Sequence, residues 1–270
     1  MYVLQMYYIL SLFLLNKTLK FINIFHSLMP LIKLDAIDST NEYLKQLSKE
    51  TNIEDYTIVV ANEQTNGKGQ MGAKWVSEKG KNLTMSVLLK DVSVIKEEIF
   101  ALNLVAALSV LNVLKNMQIP NVTIKWPNDI MSDSKKVAGI LIENSFRLEG
   151  TFTAVIGIGL NLNQTDFDLL PQATSLKCIT GNIYDIDNTA LQIRDSLKEN
   201  VPFLNQNENM LWEEYHENLF KLNYPTPFET KDGTRFMGII QKVNNNGKLE
   251  VLHEDKGMHE YEVKEIKMLF

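Results

Sequence analysis

The rhythm of hydrophobic and polar positions changes several times along this 270-residue chain, and each change marks an element. From Leu31 the run LIKLDAI reads as a strand, and Ser39-Thr40-Asn41-Glu42 is an S-x-x-E capping box that opens a helix over 40–49. YTIVVAN (56–62) is a buried strand. A polar, glycine-rich stretch follows to Lys81, and NLTMSVLLK (82–90) is the next strand. Residues 95–117 carry apolar positions at helical spacing over a long run, which predicts a core helix. VTIKW (122–126) reads as a strand and Pro127-Asn128-Asp129 as a turn. KVAGILIENSF (136–146) and TAVIGIGLN (153–161) predict two strands of one antiparallel pair, and helical spacing returns over 188–203 and 208–220. Beyond Tyr224 there are only short alternating segments, with turn pairs at Asp232-Gly233 and Asn246-Gly247, as a small β-barrel would have. The sum is a mixed α/β domain over residues 29–223 with a β module over 224–270.

The first 28 residues do not fit this pattern. They hold no acidic residue, their only lysines are Lys17 and Lys20, and the first fifteen are apolar except Gln5 and Ser11. A signal peptide would place positive charge before the apolar run and small residues after it, and both are missing. The run ends at Asn16, short of the about 20 residues of a spanning helix. Residues 1–28 are therefore expected to lie outside the fold, ahead of a natural start at Met29, with a membrane-surface anchor as the alternative. A cytoplasmic location is expected.

Composition narrows the chemistry. Lys plus Arg number 27 against 33 for Asp plus Glu, a net charge of −6, which argues against gripping a phosphate backbone over a broad face. Cys178 is the single cysteine, so there is no internal disulfide and no thiolate zinc cage. The histidines are His26, His216, His253 and His259. A catalytic centre between residues 27 and 215 is thus neither a Ser-His-Asp site nor a His-ligated metal site.

Eight of the thirteen glycines fall between Gly67 and Gly159, so backbone is brought close to something there. Gly67-Lys68-Gly69-Gln70-Met71-Gly72 matches G-x-G-x-x-G in form, yet a dinucleotide fold needs a helix to begin at this point. Here the loop runs through KWVSEKGK into another strand. What remains is either a surface hairpin or an anion nest of amides with Lys68 and Lys74 nearby. Lys125-Trp126-Pro127-Asn128-Asp129 places polar side chains at a strand end, and Lys135-Lys136-Val137-Ala138-Gly139 follows with a lysine before a ligand-sized gap. Asp129 could hold a hydrated divalent ion, or serve with Asn128 as a turn former. Ser39, Thr40 and Asn41 cap a helix and could also bind a neutral polar ligand, with Gln64 offering a donor and an acceptor. Gly157-Ile158-Gly159 leaves room beside a strand, from which Asn161 could reach a ribose or phosphate.

In order and spacing, these pieces resemble the biotin protein ligases: DSTN at 38–41, EQTNGKGQMGAKW at 63–75, KWPNDI at 125–130, KKVAGILIE at 135–143 and GIGLNLN at 157–163. The likeness runs from about Leu31 to the C-terminus. It implies an α+β fold: a mixed, largely antiparallel central sheet with flanking helices, shared with class II tRNA synthetases and lipoate ligases, plus a small C-terminal SH3-like β-barrel. It also implies two half-reactions. Biotin and ATP, with Mg²⁺, give biotinyl-5′-AMP and pyrophosphate; a lysine of a biotin carboxyl carrier domain then takes the biotin and releases AMP.

By the same resemblance, Ser39, Thr40, Asn41 and Gln64 address biotin's ureido head. Lys68, Gly69 and Gln70 belong to the loop that closes over biotin and the adenylate, and Lys136, with Gly139 beside it, is the central lysine. Lys136 and Lys68 are the expected catalytic groups. Gly67, Lys68, Gln70, Trp75, Lys125, Asn128 and Asn161 fall on the nucleotide side, and Asp129 is the candidate Mg²⁺ ligand. Two departures stand out. The loop carries Lys68, Gln70 and Ala73 where many relatives are arginine-rich, which bears on how tightly adenylate is held. Some relatives carry an N-terminal helix-turn-helix of about 60 residues; the apolar residues before Leu31 do not match one, so no repressor role and no DNA partner are expected. A homodimer stays open, as does a lipoate ligase or a non-catalytic sensor.

Overall fold

The computed structural model describes residues 31–92, 100–146 and 152–270. The extension expected at 1–28 and the start of the helix expected at 95 lie outside the described residues.

Seven strands form the first sheet: β1 (Leu31–Ile37), β2 (Ile58–Gln64), β3 (Leu83–Val92), β4 (Val122–Lys125), β5 (Asp129–Ser132), β6 (Lys135–Phe146) and β7 (Phe152–Leu160). Their spatial order is β1-β2-β3-β7-β6-β5-β4. Only β1 and β2 pair in parallel; every other neighbour is antiparallel, including the expected β6–β7 pair. One expectation is corrected. Asp129 is not a turn residue but opens β5, paired with Lys125 across the turn that holds the cis Trp126–Pro127 bond. Four residues were too few to register as a strand beside so strong a turn signal.

Helices cover the two faces unequally. Helix α1 (Thr40–Glu50) lies on one face, its Leu44 packed with Val59, Leu88 and Val155. Helix α2 (Ala101–Asn116) is buried on nearly every side, as its uniformly apolar sequence requires, and lies on the other face. It is joined there by α4 (Ile186–Asn200) and α6 (Glu208–Glu217). Two short helices, α3 (Leu176–Thr180) and α5 (Phe203–Gln206), fill connections that periodicity could not detect. Removing a leucine side chain from the α2 core is worth about 2–5 kcal/mol.

A second, five-stranded antiparallel sheet follows, in the order β11-β10-β9-β8-β12. Its strands are β8 (Pro225–Thr230), β9 (Arg235–Val243), β10 (Leu249–His253), β11 (Gly257–Tyr261) and β12 (Ile266–Met268). Gly233 and Gly247 take positive φ in the expected turns. The sheet is fastened to the first: Trp126 Nε1 donates to Gly247 O at 2.8 Å, and Val243 N lies 3.0 Å from His216 Nε2. Phe228, Ile240, Val243 and Val251 continue the main core.

Candidate functional site

Strand alternation places every second residue on the α1 face, and the register lines these residues up in rows. Thr84, Gly159 and Gly139 lie side by side across β3, β7 and β6. Ser86, Gly157 and Leu141 form the next row, and Leu88, Val155 and Glu143 the third. The middle of the sheet therefore carries a trough floored by glycines. A Cβ at Gly157 would stand 2.5 Å from Asn41 Oδ1, and one at Gly159 would stand 2.3 Å from the Trp75 ring. These glycines are spaces already occupied.

The start of α1 closes one end of the trough. Ser39 caps the helix, and Ser39, Thr40 and Asn41 are all buried. Gln64 Oε1 accepts from Thr40 N at 2.8 Å and from Thr40 Oγ1 at 3.0 Å. Ser86 Oγ donates to Asn41 Oδ1 at 2.5 Å and lies 2.7 Å from Thr40 Oγ1. Asn41 Nδ2 donates to Glu143 at 2.9 Å, and Glu143 also pairs with Lys45. The capping box is only half made, because Glu42 turns its carboxylate to Lys45 and Lys68. Those two lysines hold the Glu42 carboxyl below its usual range, Lys68 first.

The glycine loop is a compact hairpin. Trp75 N donates to Gly67 O, Gly69 N donates to Ala73 O, and a short 3₁₀ turn at Gln70–Gly72 forms the tip. The hairpin lays the Trp75 ring in the trough over Gly159, with Gly139 beneath its edge. The indole Nε1 is buried there without a protein acceptor, a state that costs about 1–3 kcal/mol. Trp75 thereby divides two cavities. The inner one, lined by Ser39, Thr40, Asn41, Gln64 and the glycine floor, holds about 30 Å³, roughly one water's share of liquid volume. The outer cleft holds about 600 Å³ between the hairpin, β4–β6 and the second sheet, within the usual range for small-molecule sites. Lys68, Trp75 and Leu141 line both.

Lys136 stands in the outer cleft, beside Trp75. Its ammonium is 2.5 Å from Asp129 Oδ1 and 5.8 Å from the Trp75 ring centre. Lys135 points away, to Pro171 O, so the inward lysine is the expected one. Lys125 enters the outer cleft half-buried. Burial pushes its amine below the ordinary lysine range, and repulsion from Lys136 and Lys267 adds to this against the pull of Asp129. Gly69, Gln70, Asn128 and Gly139 also line the cleft, although the Asn128 amide braces Ile140 O at 2.5 Å. Gly67 and Asn161 line neither cavity. Gly67 presses against the Trp75 backbone, and Asn161 is buried with its amide on Thr174 O. Among the described residues, no three His, Cys, Asp or Glu side chains are grouped as a metal cage.

The family model for biotin/lipoate A/B protein ligases matches residues 34–162, the stretch that holds this trough together with Lys68 and Lys136. Residues 34–162 are similar to the biotin/lipoate ligase family. A bifunctional ligase/repressor from Bacillus spizizenii is 36% identical over 160 residues, covering 57% of this chain and 48% of that protein. A biotin–[acetyl-CoA-carboxylase] ligase from Mycobacterium tuberculosis is 27% identical and shares 72% of this chain and 73% of its own. The chain thus spans about half the length of the first curated relatives it matches. A biotin protein ligase from Aquifex aeolicus, solved with biotin and ATP, superposes with a TM-score of 0.72 at 29% identity, over 88% of this chain and 98% of that one. That share is larger than the chain up to Asn223 can supply, so the likeness includes the second sheet.

The matched segment also contains residues bonded to the pocket lining that sequence reasoning did not single out. Ser86 is a fully buried hydroxyl inside an apolar strand, and that mismatch was the available signal. Glu143 ends the quoted KKVAGILIE segment, but its partnership with Asn41 spans 102 positions and is invisible locally. The second-sheet wall of the cleft, from Phe228 to Lys231 and from Val263 to Met268, carries no motif at all.

Proposed function

We propose that this chain is an ATP-dependent biotin–protein ligase. The observation that carries it is the pair of cavities meeting at Trp75 and Lys68, with Lys136 in the outer one: a neutral hydrogen-bonding pocket for a ureido head, and a cationic cleft for a nucleotide. In the first half-reaction the biotin carboxylate attacks the α-phosphorus of ATP, forming biotinyl-5′-AMP and releasing pyrophosphate. In the second, a carrier lysine amine attacks the acyl carbon and AMP leaves. Two unit anions ~4 Å apart repel by about 4 kcal/mol at an effective dielectric near 20. Lys136, with Lys68 opposite, offsets that repulsion and stabilises the charge that builds on the pentavalent phosphorus. Swinging from Asp129 to the substrate carboxylate would use a charge that is already in place.

Ser39, Thr40, Asn41 and Gln64 are read as the ureido contacts, with Lys68, Gly69, Gln70 and Gly139 closing over the chain of biotin. Trp75, Lys125 and Asn128 are read as facing the nucleotide. The buried Asn161 and Gly67 support the site from behind rather than by contact. Asp129 is a single carboxylate engaged by Lys136, which fits a divalent ion only as one that arrives on the nucleotide's phosphates. Such an ion would neutralise phosphate charge, and Asp129 is the residue that would hold it. The second sheet is read as an SH3-like barrel and the partner as a biotin carboxyl carrier domain in the cytoplasm; no repressor role is extended to the chain. Among the described residues, no helix is long and apolar enough to cross a membrane.

The test is transfer of labelled biotin to a purified carrier domain with ATP and Mg²⁺, beside a lipoate control. Biotin-specific, ATP-dependent labelling is expected. Lipoate labelling would overturn the pocket assignment, and a folded chain that labels with neither would overturn the ligase function.

A further inference from the structure

A side-chain amide can turn either end to a ligand, one a donor and the other an acceptor. In the inner pocket a charge outside the lining decides which end Asn41 turns inward. Asn41 is buried and lines the pocket. Its Nδ2 donates to Glu143 Oε2 at 2.9 Å and lies 3.4 Å from Leu141 O. A carboxylate and a carbonyl only accept, so only the NH₂ end of the amide can stand there. Asn41 Oδ1 is thereby turned away from Glu143, where it takes one bond from Ser86 and keeps a second lone pair. Ser86 does not fix this choice, because a hydroxyl accepts as readily as it donates. The Leu141 contact is too long to fix it alone. Glu143 is itself held at both oxygens, by Asn41 at Oε2 and by Lys45 at Oε1, 2.9 Å away and one helical turn beyond Asn41. It lines neither cavity. Gln64 is set the opposite way: its Oε1 takes both Thr40 donors, and among the described residues no acceptor takes its Nε2.

Resting on the biotin reading proposed above, we infer that Glu143 is a positioning residue for ligand selection: it fixes the Asn41 amide with its oxygen towards the pocket. The pocket then offers an acceptor at Asn41 and a donor at Gln64. That pair suits a cyclic urea or amide, with a ring N–H facing Asn41 and the carbonyl facing Gln64. A ring with oxygen in place of that N–H sets acceptor against acceptor in a buried site, and such a mismatch is rejected strongly because neither group finds a partner. Without the carboxylate, the two ends of Asn41 are nearly equal in size and can exchange places. The selection against the oxygen analogue would then be lost, although no residue in contact with the ligand had changed.

The experiment is calorimetric titration of biotin, and of the two cyclic carbamates that carry oxygen in place of one or the other ring N–H, into the full chain and into Glu143→Gln, Glu143→Leu and Ser86→Ala. Glu143→Gln is isosteric, so a role in packing alone would leave the preference as it is. Lys45 draws the oxygen of the new amide, and its NH₂ then faces Asn41 and turns that amide over. The wild type is expected to prefer biotin to one carbamate by about a hundredfold. Both Glu143 variants should reduce that preference to below about tenfold. Ser86→Ala perturbs the same network but leaves Glu143 in place, and should keep the preference even where it weakens binding of both ligands. An undiminished preference in both Glu143 variants, no preference in the wild type, or an equal loss in Ser86→Ala would overturn the role of Glu143. The ligase function would still stand if that wild type biotinylated a carrier. A preference that depends on Glu143, in a chain that forms no adenylate, would leave the positioning role and remove the ligase function. A folded wild type that binds neither ligand would overturn both.

Discussion

The inner pocket and the outer cleft share three residues and a wall, yet they meet the cost of polar groups in opposite ways. In the pocket the polar groups at the helix start are already paired: Gln64 with Thr40, Ser86 with Asn41, and Asn41 with Glu143. Its contents are mostly uncharged and buried, and a satisfied network of that kind holds its shape. In the cleft, burial and the repulsion of Lys136 and Lys267 outweigh the pull of Asp129 on Lys125, and Lys231 and Lys267 line the same space. A neutral head group is suited to a rigid, prearranged hydrogen-bonding frame. A polyanion is suited to charges left uncompensated until it arrives. Trp75 stands between the two regimes, and its orphaned indole N–H marks it as the side chain with least to lose on moving.

The comparison can be broken most severely on the cleft side of Trp75, at Lys136. Lys136→Ala should slow adenylate formation by roughly 10³-fold, the scale of losing a preorganised charge at the developing oxyanion. Pyrophosphate–ATP exchange measures it. A loss of less than about tenfold would move the catalytic charge elsewhere.

On the pocket side, Ser86→Ala leaves the Asn41 amide oxygen without its donor and should lower stability by about 1–3 kcal/mol in a denaturant titration. It should raise the KM for biotin and leave that for ATP unchanged. A change in the ATP constant alone would show that the two cavities are not distinct.

Trp75→Phe sharpens the boundary. It removes a buried unpaired N–H at nearly constant volume, so the free chain should gain about 1 kcal/mol and melt a few degrees higher. Because Trp75 fills the trough, ligand entry should displace it. Biotin should shift tryptophan emission in the wild type and lose that signal in Trp75→Phe.

The smallest expected effects have opposite signs at neutral pH and vary in different pH windows. Glu42, beside the pocket, is held below its ordinary value of 4.5 by Lys68 and Lys45. It therefore contributes stability at neutral pH that is lost as pH falls through its folded value. Lys125, in the cleft, is held below 10.5, mainly by burial. The folded state disfavours its proton, so the cost is present at neutral pH and is relieved as pH rises towards 10.5. Melting curves of Glu42→Gln and Lys125→Met, each subtracted from wild type, should both rise with pH, in an acid window for Glu42 and in an alkaline window below 10.5 for Lys125. A Lys125 difference that stays flat in the alkaline window would refute the burial of its charge in the cleft.

Much of the fold was legible along the chain because it is written at short range. Alternation over 31–37 and 82–90, the capping residues at 39–42 and the turn glycines at 233 and 247 each act within a few positions and appear where expected. What was missed was either too short for a period, like β5 and α3, or masked by a stronger signal, as when Pro127-Asn128 concealed that Asp129 begins a strand. The glycine loop was left between a hairpin and an anion nest. It is a hairpin, and its chemical importance lies in where it lays Trp75. Asn161, expected at the ligand, instead spends its amide on Thr174 O, a partner no spacing rule could name.

Taken alone, the sequence determined the kind of chemistry available. A stretch with no histidine between residues 27 and 215, and with lysines set among glycines at ordered intervals, can neutralise phosphate charge but cannot supply a His-based relay from within that span. Residue type and local spacing are properties of the chain itself, so they survive without a fold. Tertiary structure decided which of those groups meet. The register of β3, β7 and β6 made one trough from glycines at 139, 157 and 159. The docking of a second sheet, through Trp126 and His216, made a cleft from lysines more than a hundred positions apart. Neither meeting is encoded locally, because strand register and sheet docking are chosen by the burial of the whole core.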